Sequence, residues 1–206
     1  MILCDREIRA AMDRQSLRIQ PIPAPHLWTS TALDLTLDGQ IRRWKDPSTA
    51  GMQSVIVPAS KEFNFTELAD KHTDTVDYTQ VGHYDLKPKE FILGWTFERI
   101  QLPHASRIAA RVEGKSSLSR LGMGVHVTAP TIHAGFGYDP ARPDVLQPIQ
   151  LEIWNVGTLT IRLIKGMSIC QLIFEEVHGT PDKGYRGMFA SQAQHLIAAE
   201  NKNSPG

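Results

Sequence analysis

The sequence predicts a mainly β protein, an all-β barrel or sandwich, on three observations. Short runs rich in Val, Ile, Leu and Phe recur along most of the 206 residues. Gly, Asp and Pro separate these runs, and strongly helical patterns are few. Short strands divided by turn residues are typical of barrels and sandwiches, whereas alternating strands and helices would indicate a parallel sheet.

The N-terminal part predicts one short helix followed by paired strands. Residues 5–14 carry their apolar side chains on one helical stripe, and Asp5 is the expected N-cap. Residues 31–44 alternate between apolar and polar side chains. The dipeptide Asp38-Gly39 interrupts this alternation and predicts a hairpin turn.

The rest of the chain predicts more strands and little else. We expect them at residues 53–58, 90–102, 107–113, 124–129, 149–155, 159–164 and 168–177. Residues 61–72 fit a helix or a loop equally well. We expect residues 1–189 to form one domain and residues 190–206 to form a tail, helical at first and then frayed.

Composition and charge exclude several classes of protein. Lys plus Arg and Asp plus Glu both number 22, so broad binding of nucleic acid through a basic face is not expected. No apolar run is long enough to span a bilayer, and charges follow the first three apolar residues too soon for a secretory signal. Two cysteines give no disulfide framework, which fits a reducing cytoplasm.

One short segment departs from this neutral balance. Residues 107–120 contain four cations and one carboxylate, which makes the local charge four minus one, or +3. Its last part, "KSSLSR", can form a single helical turn capped by Ser116 or Ser117. Two hydroxyls beside cations suit an oligophosphate, although a solvated basic edge with a plain N-cap explains the same residues.

A second candidate lies in the predicted strand at residues 149–155. Strand alternation puts Glu152 on the same face as Gln150 and Trp154, opposite an aliphatic face. A carboxylate beside an aromatic ring in a cleft suits acid–base catalysis. The alternative is a surface glutamate on the wet face of a sheet.

Three familiar kinds of site are missing from the sequence. No H-x-E motif and no C-x-x-C pair is present, so the zinc deaminase signature is absent. The phosphate-binding patterns G-x-x-x-x-G-K-[ST] and G-x-G-x-x-G are absent as well. The nucleophile elbow G-x-S-x-G does not occur.

Five stretches, in order, resemble one family. They are "LCDREIRAAMD", "ALDLTL", "LKPKEFILGWTFERIQLP", "GKSSLSRLGMGVHVTAPTIHAGFG" and "LEIWNVGTLTIRLIKGMSICQLIFE", and together they span most of residues 1–176. The chain resembles the dCTP deaminases within the dUTPase-like trimeric β-barrels. The resemblance implies a distorted jelly roll with a short N-terminal helix and few other helices, assembled as a homotrimer with shared active sites.

The resemblance also implies roles for residues. Glu152 would be the catalytic acid–base in a zinc-independent hydrolysis of dCTP, or of a 5-substituted dCTP, to the uracil deoxynucleotide. Ser116 and Arg120 would place the water and the base, and Mg²⁺ would be bound through the nucleotide phosphates. The implied substrate-binding residues are Lys115, Ser116, Ser117, Leu118, Arg120, Val127, Ala129, His133, Gln150, Leu151, Tyr185 and Gln192.

Three departures from the family pattern bear on the substrate. His133 and Ala134 stand where the family has Asp and Pro, and in the dUTPase branch that Asp activates the hydrolytic water. Gly184 and Met188 replace a Lys and a Gln of the tail, where Gln192 is a candidate substitute. Residues 138–148 lengthen a turn and are expected to cover the site, to touch a neighbour, or to form a surface insertion.

Two rival functions follow from these departures. The first is a dUTP diphosphatase, or a bifunctional enzyme that both deaminates dCTP and hydrolyses dUTP. The replacement of Asp by His133 argues against it. The second is a non-enzymatic nucleotide-binding regulatory trimer, which the altered tail favours and the presence of Glu152, Ser116 and Arg120 opposes.

Overall fold

The fold is mainly β, as the sequence predicts, and it contains few helices. The computed structural model describes residues 1–48, 55–125 and 129–182. No helix in these three ranges is both long enough and apolar enough to cross a membrane. The predicted tail at residues 190–206 lies outside them.

Eleven strands account for most of the regular secondary structure in these ranges. They are β1 Arg18–Gln20, β2 Leu33–Trp44, β3 Thr73–Asp77, β4 Tyr84–Leu86, β5 Phe91–Gln101, β6 Ile108–Gly114, β7 Met123–Val125, β8 Thr131–Ile132, β9 Gln147–Asn155, β10 Ile161–Leu163 and β11 Ser168–Glu176. The main sheet runs in the order β7-β9-β5-β2-β11-β6-β8, with β1 beside β5 and β3 beside β2. β4 and β10 form a separate antiparallel pair.

The main sheet curls around one apolar core. Strand alternation supplies this core, because side chains two residues apart share a face. Full burial of each Leu or Ile contributes about 1.5–3 kcal/mol. In β2 and β9, the strands that matter most for the site, the fully buried apolar side chains are Leu33, Leu35, Leu37, Ile41, Ile149, Leu151 and Ile153.

The predicted hairpin turn at Asp38-Gly39 is wrong. β2 continues through both residues, and the dipeptide falls where the β2–β5 register shifts between Leu37 and Ile41. Tyr78 holds this irregular stretch, because its hydroxyl donates to Asp38 O and its backbone N–H donates to Gly39 O at 3.1 Å. Pairing with two neighbouring strands therefore overrides the local turn preference.

Three α-helices are present in these ranges. α1 covers Asp5–Asp13 and buries Ile8 and Ala11, but its N-cap is Cys4, so the expectation that Asp5 caps it is wrong. α2 covers Phe65–His72 and resolves the ambiguous segment as helix. The side chain of its N-cap, Asn64, accepts from the backbone N–H groups of Thr66 and Glu67. α3 is the single turn Ser116–Ser119.

Most predicted strands are present, with two exceptions. Residues 55–58 of the strand predicted at 53–58 are not a strand, and the side chains at 55–57 are exposed. No strand of the described ranges pairs with residues 55–58, and a short apolar run forms a strand only where a neighbouring strand pairs with it. Of the strand predicted at 124–129, only its beginning lies in β7, and residues 126–128 are outside the described ranges.

The long loop at residues 138–148 is anchored by its own chain. Arg18 Nη1 donates to Pro143 O at 2.6 Å, and Gln101 Nε2 donates to the same oxygen at 2.9 Å. Gln101 is buried and also donates to Gly137 O at 3.3 Å. A buried amide that binds two carbonyls fixes the loop on the ends of β1 and β5.

Candidate active site

Glu152 lies where strand alternation predicts it. On β9 the aliphatic residues Ile149, Leu151 and Ile153 are fully buried in the core. Gln150, Glu152 and Trp154 occupy the other face and are half-buried. The carboxylate of Glu152 therefore projects away from the core, on a face that is partly open to solvent.

Two neighbours on β5 were missed by the sequence analysis. Leu93 lies directly opposite Glu152, and Trp95 lies directly opposite Gln150. Residues opposite each other in an antiparallel pair share a face, so Trp95 is also a diagonal neighbour of Glu152. Leu93 and Trp95 are 3% and 2% exposed, so the carboxylate is bordered by buried apolar surface on this side.

The predicted phosphate turn forms the short helix α3 at the end of β6. The single turn is confirmed, but the expected serine cap is wrong, because Lys115 is the N-cap and no side chain caps the turn. Backbone N–H groups of Leu118 and Ser119 donate to Lys115 O at 3.0 and 2.9 Å. The hydroxyls of Ser116 and Ser117 lie on exposed residues, while Leu118 packs against the core.

The basic segment is mostly neutralised by ion pairs. Arg107 Nη2 lies 3.8 Å from Glu176 Oε1. Arg111 lies 3.1 Å from Glu113 and 3.3 Å from Glu175. Arg120 is exposed and forms no ion pair with any residue of the three described ranges. Arg120 is therefore the cation of this segment that is available to an anionic ligand.

Lys115, the fourth cation, pairs with Asp34 of β2. Lys115 Nζ binds Asp34 Oδ2, and Ser168 Oγ of β11 donates to the same oxygen at 3.0 Å. Asp34 is only 7% exposed. Sequence reasoning missed both Asp34, the partner of Lys115, and Ser168, the second donor to Asp34. One signal was present in the sequence, because Asp34 is a charged residue inside the apolar stretch "ALDLTL".

β7 connects the turn to the strand of Glu152. It pairs with β9 through Gly124 opposite Trp154 and Val125 opposite Ile153. A Cβ atom on Gly124 would overlap the Trp154 indole, so the glycine lets the ring pack flat against β7. The turn and Glu152 thus lie on adjoining elements. Within the described parts of one chain, neither Ser116 nor Arg120 bonds directly to Glu152.

The structure does not bring the side chains of the other predicted site residues that it describes onto the face of β9 that carries Glu152. His133 is exposed and follows β8, which pairs with β6 and not with β9. Ala129 is exposed near the start of β8. The side chain of Leu151 is buried in the core, so only its backbone could contact a substrate. Val127, Tyr185 and Gln192 lie outside the described ranges.

Comparison of the sequence with known proteins identifies the family of this chain. The dCTP deaminase-like family model matches residues 2–177. A relative from Tropheryma whipplei, named "dCTP deaminase, dUMP-forming", is 35% identical over 212 residues and covers 97% of this chain and 96% of its own. A relative of the same name from Methanosphaera stadtmanae is 31% identical, covering 89% and 83% of the two chains. One from Natronomonas pharaonis, named "dCTP deaminase", is 32% identical, covering 94% and 90%.

A solved structure supports the fold. The 2'-deoxycytidine 5'-triphosphate deaminase from Agrobacterium tumefaciens superimposes with a TM-score of 0.62 at 20% identity. The match covers 97% of this chain and 53% of that one, so this chain spans about half of the solved protein's length. The family model and the relatives together show that the chain belongs to the dCTP deaminase-like family.

Proposed function

We propose that this chain hydrolytically deaminates dCTP to the uracil deoxynucleotide, without zinc. The observation that carries the proposal is the position of Glu152. It is a half-buried carboxylate on β9, bordered by apolar surface, and β7 links its strand to a turn with two exposed serines and an exposed Arg120. An acid–base group beside an anion-binding turn suits a nucleotide substrate, and relatives at 31–35% identity bear the name dCTP deaminase.

In this proposal Glu152 moves the protons of the reaction. Its carboxylate takes a proton from a water molecule, and the water oxygen bonds to C4 of cytosine. The tetrahedral intermediate then receives that proton on its exocyclic nitrogen from Glu152. The C4–N bond breaks and ammonia leaves. The added oxygen passes its remaining proton to N3, which gives the C4 carbonyl and the N3–H of uracil. Ser116 and Arg120 would orient the water and the base.

The triphosphate would bind at the turn that begins at Lys115. The hydroxyls of Ser116 and Ser117 and the guanidinium of Arg120 are exposed there, and hydrogen bonds from charged donors to phosphate are strong. Mg²⁺ would be carried by the nucleotide phosphates.

We propose a homotrimer whose sites are shared between subunits, located in a reducing cytoplasm. Ser116 and Arg120 form no bond to Glu152 within the described parts of one chain, so a second copy that supplies the turn would complete the site. Both cysteines are free thiols, in keeping with that compartment. Sedimentation should give a trimer, and an active monomer would contradict the shared site.

The final product separates two candidate functions. The relatives named "dUMP-forming" favour a chain that also converts the deoxyuridine triphosphate to dUMP. His133 opposes this, because an imidazole stands where the resemblance expects a water-activating Asp. We therefore propose dUTP as the main product.

Product analysis by anion-exchange chromatography tests the proposal. Purified protein with Mg²⁺ and dCTP should give a dUTP peak. Formation of dUMP and diphosphate would establish the bifunctional alternative. If dCTP and 5-substituted dCTP both remained unchanged while still binding, the chain would be a nucleotide-binding regulator and the proposed catalysis would be wrong.

A further inference from the structure

The ion pair between Asp34 and Lys115 is not explained by the proposed chemistry. Asp34 accepts from Lys115 Nζ and Ser168 Oγ through one oxygen, Oδ2. Its other oxygen, Oδ1, is buried and accepts from no residue of the described ranges. A buried carboxylate needs compensating partners, so these two donors are what stabilises its charge.

The ion pair also spans the sheet. Strand β11 lies between β2 and β6, with Gln171 paired to Asp34 on one side and to Glu113 on the other. Lys115 leaves β6 after Gly114, begins the turn, and reaches back past β11 to β2. The first residue of the phosphate turn is thereby tied to a strand two positions away in the sheet.

We propose that Asp34 is a positioning residue: it holds Lys115 so that the turn Ser116–Ser119 starts at a fixed place. The exposed hydroxyls of Ser116 and Ser117 and the guanidinium of Arg120 then bind phosphate, and the Lys115 ammonium does not. The inference rests on the proposed function, since it divides roles within the same turn. If Lys115 turned to phosphate, it would leave the Asp34 charge buried without its cation. Arg120 is exposed and pairs with no carboxylate in the described part of the chain, so binding phosphate breaks no such ion pair.

Two measurements test this assignment on the variants Asp34→Asn, Lys115→Met and the double variant. The first is hydrogen exchange at the amides of residues 117–121 without nucleotide, and the second is kcat and KM for dCTP. Each single change should speed local exchange and lower kcat/KM by about tenfold or more. The double variant should be no worse than the poorer single variant, because both changes remove one interaction.

Asp85→Asn is the matched control. It removes the same charge from an ion pair with Arg162, at 2.8 Å, in the separate β4–β10 sheet. We expect it to change exchange at the turn and kcat/KM by less than about twofold. The assignment is overturned if Asp34→Asn binds dCTP as well as or better than wild type while Lys115→Met loses tenfold in either background. That result would make Lys115 a direct phosphate ligand.

If Lys115→Met does not fold, the variant Ser168→Ala still tests the positioning role of Asp34. Ser168→Ala removes only the second donor to Asp34 and should speed exchange at the turn by about threefold. Unchanged exchange in both Ser168→Ala and Asp34→Asn would overturn the positioning role. Since exchange is measured without substrate, wild-type protein that leaves dCTP intact would refute the proposed function and still allow the ion pair to be tested.

Discussion

Glu152 on β9 lies directly opposite Leu93 on β5, so the half-buried carboxylate has a buried leucine as its cross-strand neighbour. This pairing places an ionisable group at the edge of apolar surface. It is the arrangement expected of a group that exchanges protons with a substrate in a partly dry cleft.

Replacing this carboxylate should abolish turnover and spare binding. Glu152→Gln keeps the shape and removes the proton acceptor, so we expect kcat for dCTP to fall by about 10²–10⁴-fold. The dissociation constant of dCTP should stay within about threefold. Glu113→Gln, which removes a half-exposed carboxylate paired with Arg111, is the control and should keep kcat. A Glu152→Gln enzyme with near wild-type turnover would exclude Glu152 from the mechanism.

The guanidinium of Arg120 should matter for the triphosphate. Arg120→Met removes a charged donor, and loss of such a hydrogen bond costs about 1.5–3 kcal/mol, or roughly 10- to 150-fold in kcat/KM for dCTP. Binding of deoxycytidine, which lacks phosphates, should change little. Arg107→Met is the control, because Arg107 pairs with Glu176 away from the turn. Equal losses for dCTP and deoxycytidine would mean that Arg120 does not bind phosphate.

Gly124 should be required for the packing beside Glu152. Gly124→Ala places a methyl group into the Trp154 indole, and overpacking of this kind costs about 1–3 kcal/mol of stability. The displaced ring is two residues from Glu152, so activity should fall as well. Gly114→Ala is the matched control, since its methyl group would lie at an ordinary 3.6 Å from Ser119 Oγ. Thermal unfolding of the two variants tests this, and equal stability would contradict it.

The residue at position 133 should determine whether the reaction ends at dUTP or continues to dUMP. If the imidazole replaces a water-activating carboxylate, His133→Asp should raise the ratio of dUMP to dUTP among the products of dCTP. The residue is exposed after β8, so the change should leave the melting temperature nearly unaltered. An unchanged product ratio would show that His133 has no part in phosphate hydrolysis.

Stability should fall at alkaline pH because of Cys170. Burial raises the pKa of this thiol above its ordinary value of 9.0, and the nearby charges of Glu98 and Asp34 raise it further. Below pH 9.0 the thiol is protonated in both states, so it adds no pH dependence. Above that pH only the unfolded chain gains a thiolate, and the free energy of unfolding falls with a slope that approaches about 1.4 kcal/mol per pH unit from this group.

Urea unfolding between about pH 9 and pH 10 measures this slope, whose size follows from proton linkage. Cys170→Ala should be less stable throughout, because it leaves a small cavity, but between about pH 9 and pH 10 it should lose about 1 kcal/mol less stability than wild type. Cys4→Ala changes the half-exposed thiol and serves as the control. Parallel slopes for wild type and Cys170→Ala would contradict the prediction.

Features that depend on neighbouring residues could be predicted from the sequence. The position of Glu152 follows from a two-residue period within β9, and the single turn at Ser116–Ser119 follows from a local run of residues. The strand predicted at residues 53–58 is wrong over its described part, 55–58, because an apolar run forms a strand only when another strand pairs with it.

Features that join distant segments could not be predicted. Lys115 and Asp34 are 81 residues apart in the chain, and only the placement of β11 between β2 and β6 brings them together. The position of Trp95 beside Gln150 depends on the β5–β9 register, which no local pattern specifies. The turn predicted at Asp38-Gly39 does not form, because β2 pairs with β3 and β5, and this pairing also depends on distant segments.

Release of ammonia from dCTP tests the central claim most directly. Wild-type protein and Glu152→Gln are incubated with dCTP and Mg²⁺, and ammonium is measured against the loss of the cytosine nucleotide. We predict one ammonium for each dCTP consumed by wild type and almost none from Glu152→Gln. If wild-type protein bound dCTP but released no ammonium from it, the account of this chain as a deaminase would be wrong.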